Sequence, residues 1–171
     1  MKRKGLFFSP GVLLVFLLIA GFSYQTAAQD ILQKAKWKID YSPQKDLAVG
    51  DEITLTFDLR IDEGFHVYSA IPPKDMPVLA TTFELDKSAS GVELVGPLQE
   101  RGGKAESGYD EIFETNITIY HDKVTFFQKA KITAPEAKVE GFIRYQICDA
   151  SRCVPGNEDI AFAIQAVKKK P

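Results

Sequence analysis

The sequence predicts an all-β sandwich, and three observations carry that reading. From Ala35 onward apolar residues recur with a period near two, the spacing of a strand with one buried face. No useful length of 3.6-residue periodicity follows residue 28. Clusters of Gly, Pro, Asp and Ser recur between the apolar runs and divide eight or nine short strand candidates.

The chain opens differently. Lys2, Arg3 and Lys4 precede an apolar run from Val12 to Ala20, and the small residues around Ala27 and Ala28 follow before the first acid, Asp30. This is the layout of a secretory signal peptide over residues 1–28, cleaved after Ala28. A transmembrane anchor is the competing reading. Ser9, Pro10 and Gly11 interrupt the apolar stretch, leaving about nine to twelve residues where about twenty are needed to span. Residues 29–171 then form one domain, with no internal repeat and no stable membrane insertion once the leader is cleaved.

The first strand candidate places Trp37, Ile39 and Tyr41 between Lys36, Lys38 and Asp40. The second alternates Ile53, Leu55, Phe57 and Leu59 with Thr54, Thr56, Asp58 and Arg60, and turn residues from Ser42 to Asp51 separate the two. Phe65 to Ala70 reads as a third strand, stopped by Pro72 and Pro73. With Pro77 these fix φ and remove backbone donors, so the region is a loop or an edge. Thr81 to Leu85 and Val92 to Val95 are short candidates, and Gln99 to Gly108, which lacks apolar periodicity, reads as a surface loop. Ile117, Ile119 and Tyr120 belong to a strand joined by a tight hairpin at His121, Asp122 and Lys123 to the run Val124 to Ile132. Phe142 to Cys148 and Ile160 to Ala166 complete the set.

Charge narrows the function classes. The chain has 21 basic and 23 acidic residues; residues 1–28 hold three of the basic ones and no acid, so the mature 143 residues carry a formal charge of −5. Such a balance argues against nucleic acid or an anionic membrane as partner. The terminal Lys168, Lys169, Lys170 and Pro171 read as a solvated tail. Export places the chain in an oxidising compartment, the periplasm or cell envelope or the medium beyond, where a disulfide persists.

The chemistry concentrates in R-Y-Q-I-C-D-A-S-R-C-V-P, Arg144 to Pro155, which holds the only two cysteines, Cys148 and Cys153. If the flanking segments are neighbouring strands, the sulfurs meet across a hairpin and a bond between them is stereochemically easy. Such a bond is either a staple or a redox centre. A clip this local contributes about 2 kcal/mol, little for a core of this size, which tilts the reading toward redox exchange. Arg152 beside Cys153 favours its thiolate and Asp149 beside Cys148 disfavours the other, so Cys153 is the better partner-facing sulfur. C-x-x-C before a helix is absent, which excludes the thioredoxin motif. His66 and His121, far apart in sequence, lack paired-ligand spacing and argue against a metal site; His66 reads as a strand residue and His121 as a turn residue. No G-x-S-x-G elbow supports a hydrolase.

With the leader, the strand pattern and Y-Q-I-C-D-A-S-R-C-V-P together, the chain resembles the N-terminal immunoglobulin-like periplasmic domain of thiol:disulfide interchange proteins of the DsbD family. The matching residues are Tyr145, Gln146, Cys148, Cys153 and Pro155. Gly64, Phe65, His66, Val67 and Tyr68 match the family's glycine-led aromatic strand; Asp110, Glu111, Ile112 and Phe113, followed by Ile119, Tyr120, His121 and Asp122, match its acidic-aromatic cap loop and the turn after it. The likeness spans about residues 35–166. It implies an immunoglobulin-like sandwich whose Cys148/Cys153 pair relays reducing equivalents, without a cofactor, from a thioredoxin-like or membrane reductase donor to oxidised thiol proteins of the envelope. It implies that Cys153 forms the mixed disulfide and that an aromatic of the cap loop covers the pair, with Tyr109, Asp110, Glu111 and Phe113 as the loop, Phe113 favoured as the cover, and Tyr68 and Tyr145 as supports. Full-length family reductases continue into membrane helices and a thioredoxin-like domain, so this chain is expected to take electrons from a separate protein. The alternative is a non-catalytic sandwich that binds an envelope partner, with the disulfide as an inert clip.

Overall fold

The computed structural model describes residues 28–111 and 113–168. Apart from Ala28, the leader expected over 1–28 lies outside them, as do Ile112 of the cap loop and residues 169–171 of the basic tail. In chain order the strands are β1 (Ala35–Ser42), β2 (Glu52–Ile61), β3 (His66–Tyr68), β4 (Thr82–Leu85), β5 (Val92–Arg101), β6 (Lys104–Asp110), β7 (Thr115–His121), β8 (Lys123–Ile132), β9 (Glu136–Cys148) and β10 (Cys153–Gln165). They form two antiparallel sheets, one ordered β1-β2-β8-β5 and the other β10-β9-β3-β7-β6, with β4 pairing β9 as well. The expected all-β, immunoglobulin-like sandwich is the fold of the chain.

Strict alternation builds the core. In β2, Ile53, Leu55, Phe57, Leu59 and Ile61 are buried while the residues between them are not. They face Val67, Val139, Ile143 and Ile147 of the second sheet within one cluster that also takes Phe126 and Ile132 of β8. Phe57 meets Phe83 at 4.9 Å between ring centroids, and Trp37 meets Tyr145 at 5.1 Å. Each fully buried side chain of this kind contributes about 1.5–3 kcal/mol. Where β5 shifts register between Val95 and Gln99 against β8, the buried Gln128 donates its amide to the carbonyls of Val95, Gly96 and Lys129. The bulge is thereby closed without an unpaired polar group.

Four expectations are corrected. The segment Gln99–Gly108 is not a loop: β5 runs to Arg101, and β6 begins at Lys104 after a turn at Gly102 and Gly103. β6 is an edge strand exposed along nearly its whole length, so it needs no apolar alternation and shows none. The turn is glycine for steric reasons, since a Cβ on Gly103, at φ +78°, would stand 2.0 Å from the Lys123 carbonyl oxygen. His121–Lys123 is not a hairpin either. β7 and β8 belong to different sheets, and Asp122, at φ 63°, turns the corner between them, its carbonyl accepting the Ile61 amide. The third strand is only His66–Tyr68, and the described residues hold ten strands, not eight or nine.

β9 positions the site. One edge pairs along its full length with β10; the other is covered first by β4, opposite Gly141 to Arg144, and then by β3, opposite Ile147 and Cys148.

Candidate functional site

The end of the β9–β10 hairpin brings Cys148 and Cys153 into direct register, and they form a disulfide with Cα atoms 4.0 Å apart. The four-residue turn beneath the bond is organised by one carboxylate. Asp149 Oδ1 accepts from the Ser151 amide at 2.8 Å, the Ser151 hydroxyl at 2.8 Å and the Arg152 amide at 3.0 Å, while Arg152 Nε donates to Oδ2 at 3.3 Å. The Ser151 amide is the largest cause holding the Asp149 carboxyl down at about 2. The two charges that sequence adjacency assigned to separate cysteines thus pair with each other.

What separates the sulfurs is burial. Cys148 is 1% exposed, whereas Cys153 is an exposed residue. Alternation along β9 sends Tyr145 and Ile147 into the sandwich core and Cys148 to the opposite face, where the register places His66 beside it on β3. There Tyr68, Leu79 and Cys148 make a second, small apolar cluster, with Met76, Phe113, Ile117 and Ile119 packed around it. Leu79 arrives from the 3₁₀ turn Pro77–Leu79, in the proline-rich segment after β3. Phe113 stands edge-on to Tyr68 at 6.5 Å, its amide donating to Asp110 Oδ1 at 2.9 Å. The following Glu114 sits at φ 52°, closing the loop tightly.

The predicted site residues therefore divide. Cys148, Tyr68 and Phe113 share one cluster, and Asp110 anchors the Phe113 backbone. Burial, and then the negative charge of Asp110, push the Tyr68 phenol up. Tyr109 is 62% exposed and falls on the alternate face of β6 from Asp110; Glu111 is exposed. Tyr145 lies on the core side of β9 against Trp37, away from the disulfide. Several neighbours escaped sequence reasoning. Glu100 of β5 reaches across to the second sheet, accepting from the Ser69 hydroxyl and the Ala70 amide, both at 2.6 Å, and from the Tyr120 hydroxyl at 3.0 Å. It ties down the chain just after Tyr68; burial and that carboxylate push the Tyr120 phenol up to about 12. The two histidines stand side by side, with ring centroids 5.7 Å apart, because β3 pairs β7. Among the described residues no group of three or more His, Cys, Asp or Glu is placed to hold a metal ion, and no helix is long and apolar enough to cross a membrane.

The arrangement is that of a disulfide with one cysteine exposed at a hairpin end and the other buried beneath neighbouring side chains. No curated protein sequence matches the chain. Among solved structures, the chain is similar to the N-terminal periplasmic domain of ScsB from Proteus mirabilis, at 12% identity and a TM-score of 0.48 over 77% of this chain and 46% of that one. The chain thus spans about half the length of that structure. It is also similar to the Neisseria meningitidis DsbD N-terminal domain in the reduced form, at 19% identity and a TM-score of 0.37 over 74% of this chain and 90% of that one. The family described as thiol:disulfide interchange protein DsbD, N-terminal, matches residues 38–164, most of the chain. The protein belongs to the family of DsbD N-terminal thiol:disulfide interchange domains.

Proposed function

We propose that this domain relays reducing equivalents in the periplasm or cell envelope, taking them from a thioredoxin-like or membrane-linked reductase and passing them to oxidised thiol proteins. The observation that carries the reading is the asymmetry of the bond, with Cys153 exposed and Cys148 buried at 1%. A donor thiolate attacks Cys153 Sγ, the bond to Cys148 breaks, and Cys148 leaves with the electron pair. The donor's second thiol then attacks its own sulfur in the mixed disulfide, leaving both domain cysteines reduced and the donor oxidised. In the outgoing half Cys153 attacks a client disulfide, and Cys148 closes on Cys153 to release the reduced client. Phe113 and Tyr68 cover the buried sulfur, so a partner has to displace the loop to reach past Cys153. Export of the chain by the leader over residues 1–28 places these steps in an oxidising compartment.

Paired single substitutions test the assignment. Cys148→Ala should accumulate mixed disulfides between Cys153 and envelope proteins, resolved on non-reducing gels and lost on reduction. Cys153→Ala should accumulate few. The reverse pattern would exchange the roles of the two cysteines, and no adduct from either variant would contradict the relay.

A further inference from the structure

Cys148 must lose a proton each time it resolves a mixed disulfide, yet it lies in an apolar pocket, where an unassisted thiolate is costly. Resting on the exchange chemistry proposed above, we infer that His66 serves as the base for Cys148. Its position carries the inference. His66 pairs with Cys148 in the β3–β9 register, and residues directly opposed on antiparallel strands carry their side chains on the same face with Cβ atoms about 4.5–5.5 Å apart. No other titratable residue is in register with Cys148 across β3, and on β10 its partner is Cys153 itself.

The surroundings suit a base. Tyr68, on the same strand, meets the His66 ring edge-on at 5.9 Å, and His121 of β7 lies 5.7 Å from it. His121 is itself fixed, with Nδ1 3.3 Å from the Phe65 carbonyl oxygen and Nε2 3.3 Å from Glu106 of β6. Lys104 of β6 is in register with His121; Glu106, Asp110 and Asp149 supply negative charge from β6 and from the hairpin turn. Burial dominates, followed by repulsion from His121, and together they outweigh the acids and hold the His66 imidazole below its ordinary value. It is therefore neutral near neutral pH and able to accept a proton.

In the resolving step the imidazole takes the proton from Cys148 Sγ, the thiolate attacks Cys153 Sγ, the bond from Cys153 to the client sulfur breaks, and the client thiolate leaves with the electron pair. The imidazolium returns its proton to that thiolate or to solvent. In the incoming half Cys148 is expelled as a thiolate and takes up its proton from solvent, the imidazole being neutral at that point. No added oxidant or reductant is needed.

The test uses the reduced domain and Ellman's reagent in stopped flow. Cys153 attacks first and releases one thionitrobenzoate; Cys148 then displaces the second from Cys153, so the second release reads Cys148 alone. His66→Gln should slow that second phase at least about tenfold at about pH 7 and leave the first within about twofold, and the gap should close toward alkaline pH, where Cys148 ionises unaided. His66→Phe, which keeps a ring against Tyr68, should give the same profile as His66→Gln. A second phase that is unchanged, that slows equally at every pH, or that His66→Phe restores would overturn the inference. The reaction involves no envelope partner. A His66-dependent profile in a domain that traps no client would support the base and sink the relay, and a flat profile in a domain that does trap clients would do the opposite.

Discussion

The two faces of β9 are built for different tasks. The inner face contributes Val139, Ile143, Tyr145 and Ile147 to a core that takes side chains from both sheets. The outer face contributes Cys148 to a cluster whose other buried members among the described residues are Tyr68 and Leu79, roofed by Phe113 from a short loop. The first is a stability device many residues deep. The second is small, roofed by a short loop, and holds the buried end of the disulfide. A strand one residue out of register would exchange the two faces, and the full-length pairing of β9 with β10 prevents it.

The sharpest way to separate the faces is to damage each in turn. Phe57→Ala, at a fully buried position between the sheets, should cost about 3–5 kcal/mol in denaturant unfolding. Replacing both cysteines by alanine should cost about 2 kcal/mol, because a sequence separation of 5 closes too short a loop to constrain the unfolded chain much. A loss as large as that of Phe57→Ala would make the disulfide a structural element and erase the contrast. Phe113→Ala should lower stability by no more than about 1 kcal/mol, since Phe113 is only partly buried, while reduction of the bond by dithiothreitol speeds up several-fold. Unchanged reduction kinetics would show that Phe113 does not guard the sulfurs.

The smallest expected effect is electrostatic and local. The Asp149 carboxyl is held at about 2, below its ordinary 3.8. The folded hairpin therefore binds this proton less readily than the unfolded chain does. The stability that Asp149 contributes is full above about pH 4 and is lost as pH falls through about 2. A carboxyl titration followed by NMR should show the depressed midpoint in the wild type, and Asp149→Asn should flatten stability over that window alone.

The sandwich was legible because its core strands alternate strictly, as β2 does from Ile53 to Ile61. β6 was not legible because, as an exposed edge strand, its side chains face solvent and periodicity carries no signal; the pair Gly102 and Gly103 was the remaining clue to a turn. The corner at Asp122 looked like a hairpin because sequence reports a tight connection without saying which sheet each strand joins. At the site, sequence adjacency set Arg152 beside Cys153 and Asp149 beside Cys148, yet those charges pair with each other in the turn; the difference the structure shows between the cysteines is burial, with Cys148 in a cluster with Tyr68, Leu79 and Phe113 and Cys153 exposed. The proximity of His66 to His121 and Cys148 depends on β3 pairing with both β7 and β9, a non-local fact that no spacing in the chain encodes.

The central claim is that Cys148–Cys153 is an exchange-active bond. The reduction potential of the purified domain, measured by equilibration with dithiol/disulfide buffers, tests it most directly. The account predicts a value clearly above about −300 mV, within reach of thioredoxin-like donors at about −270 mV; a value below about −300 mV would mark a structural disulfide and contradict it.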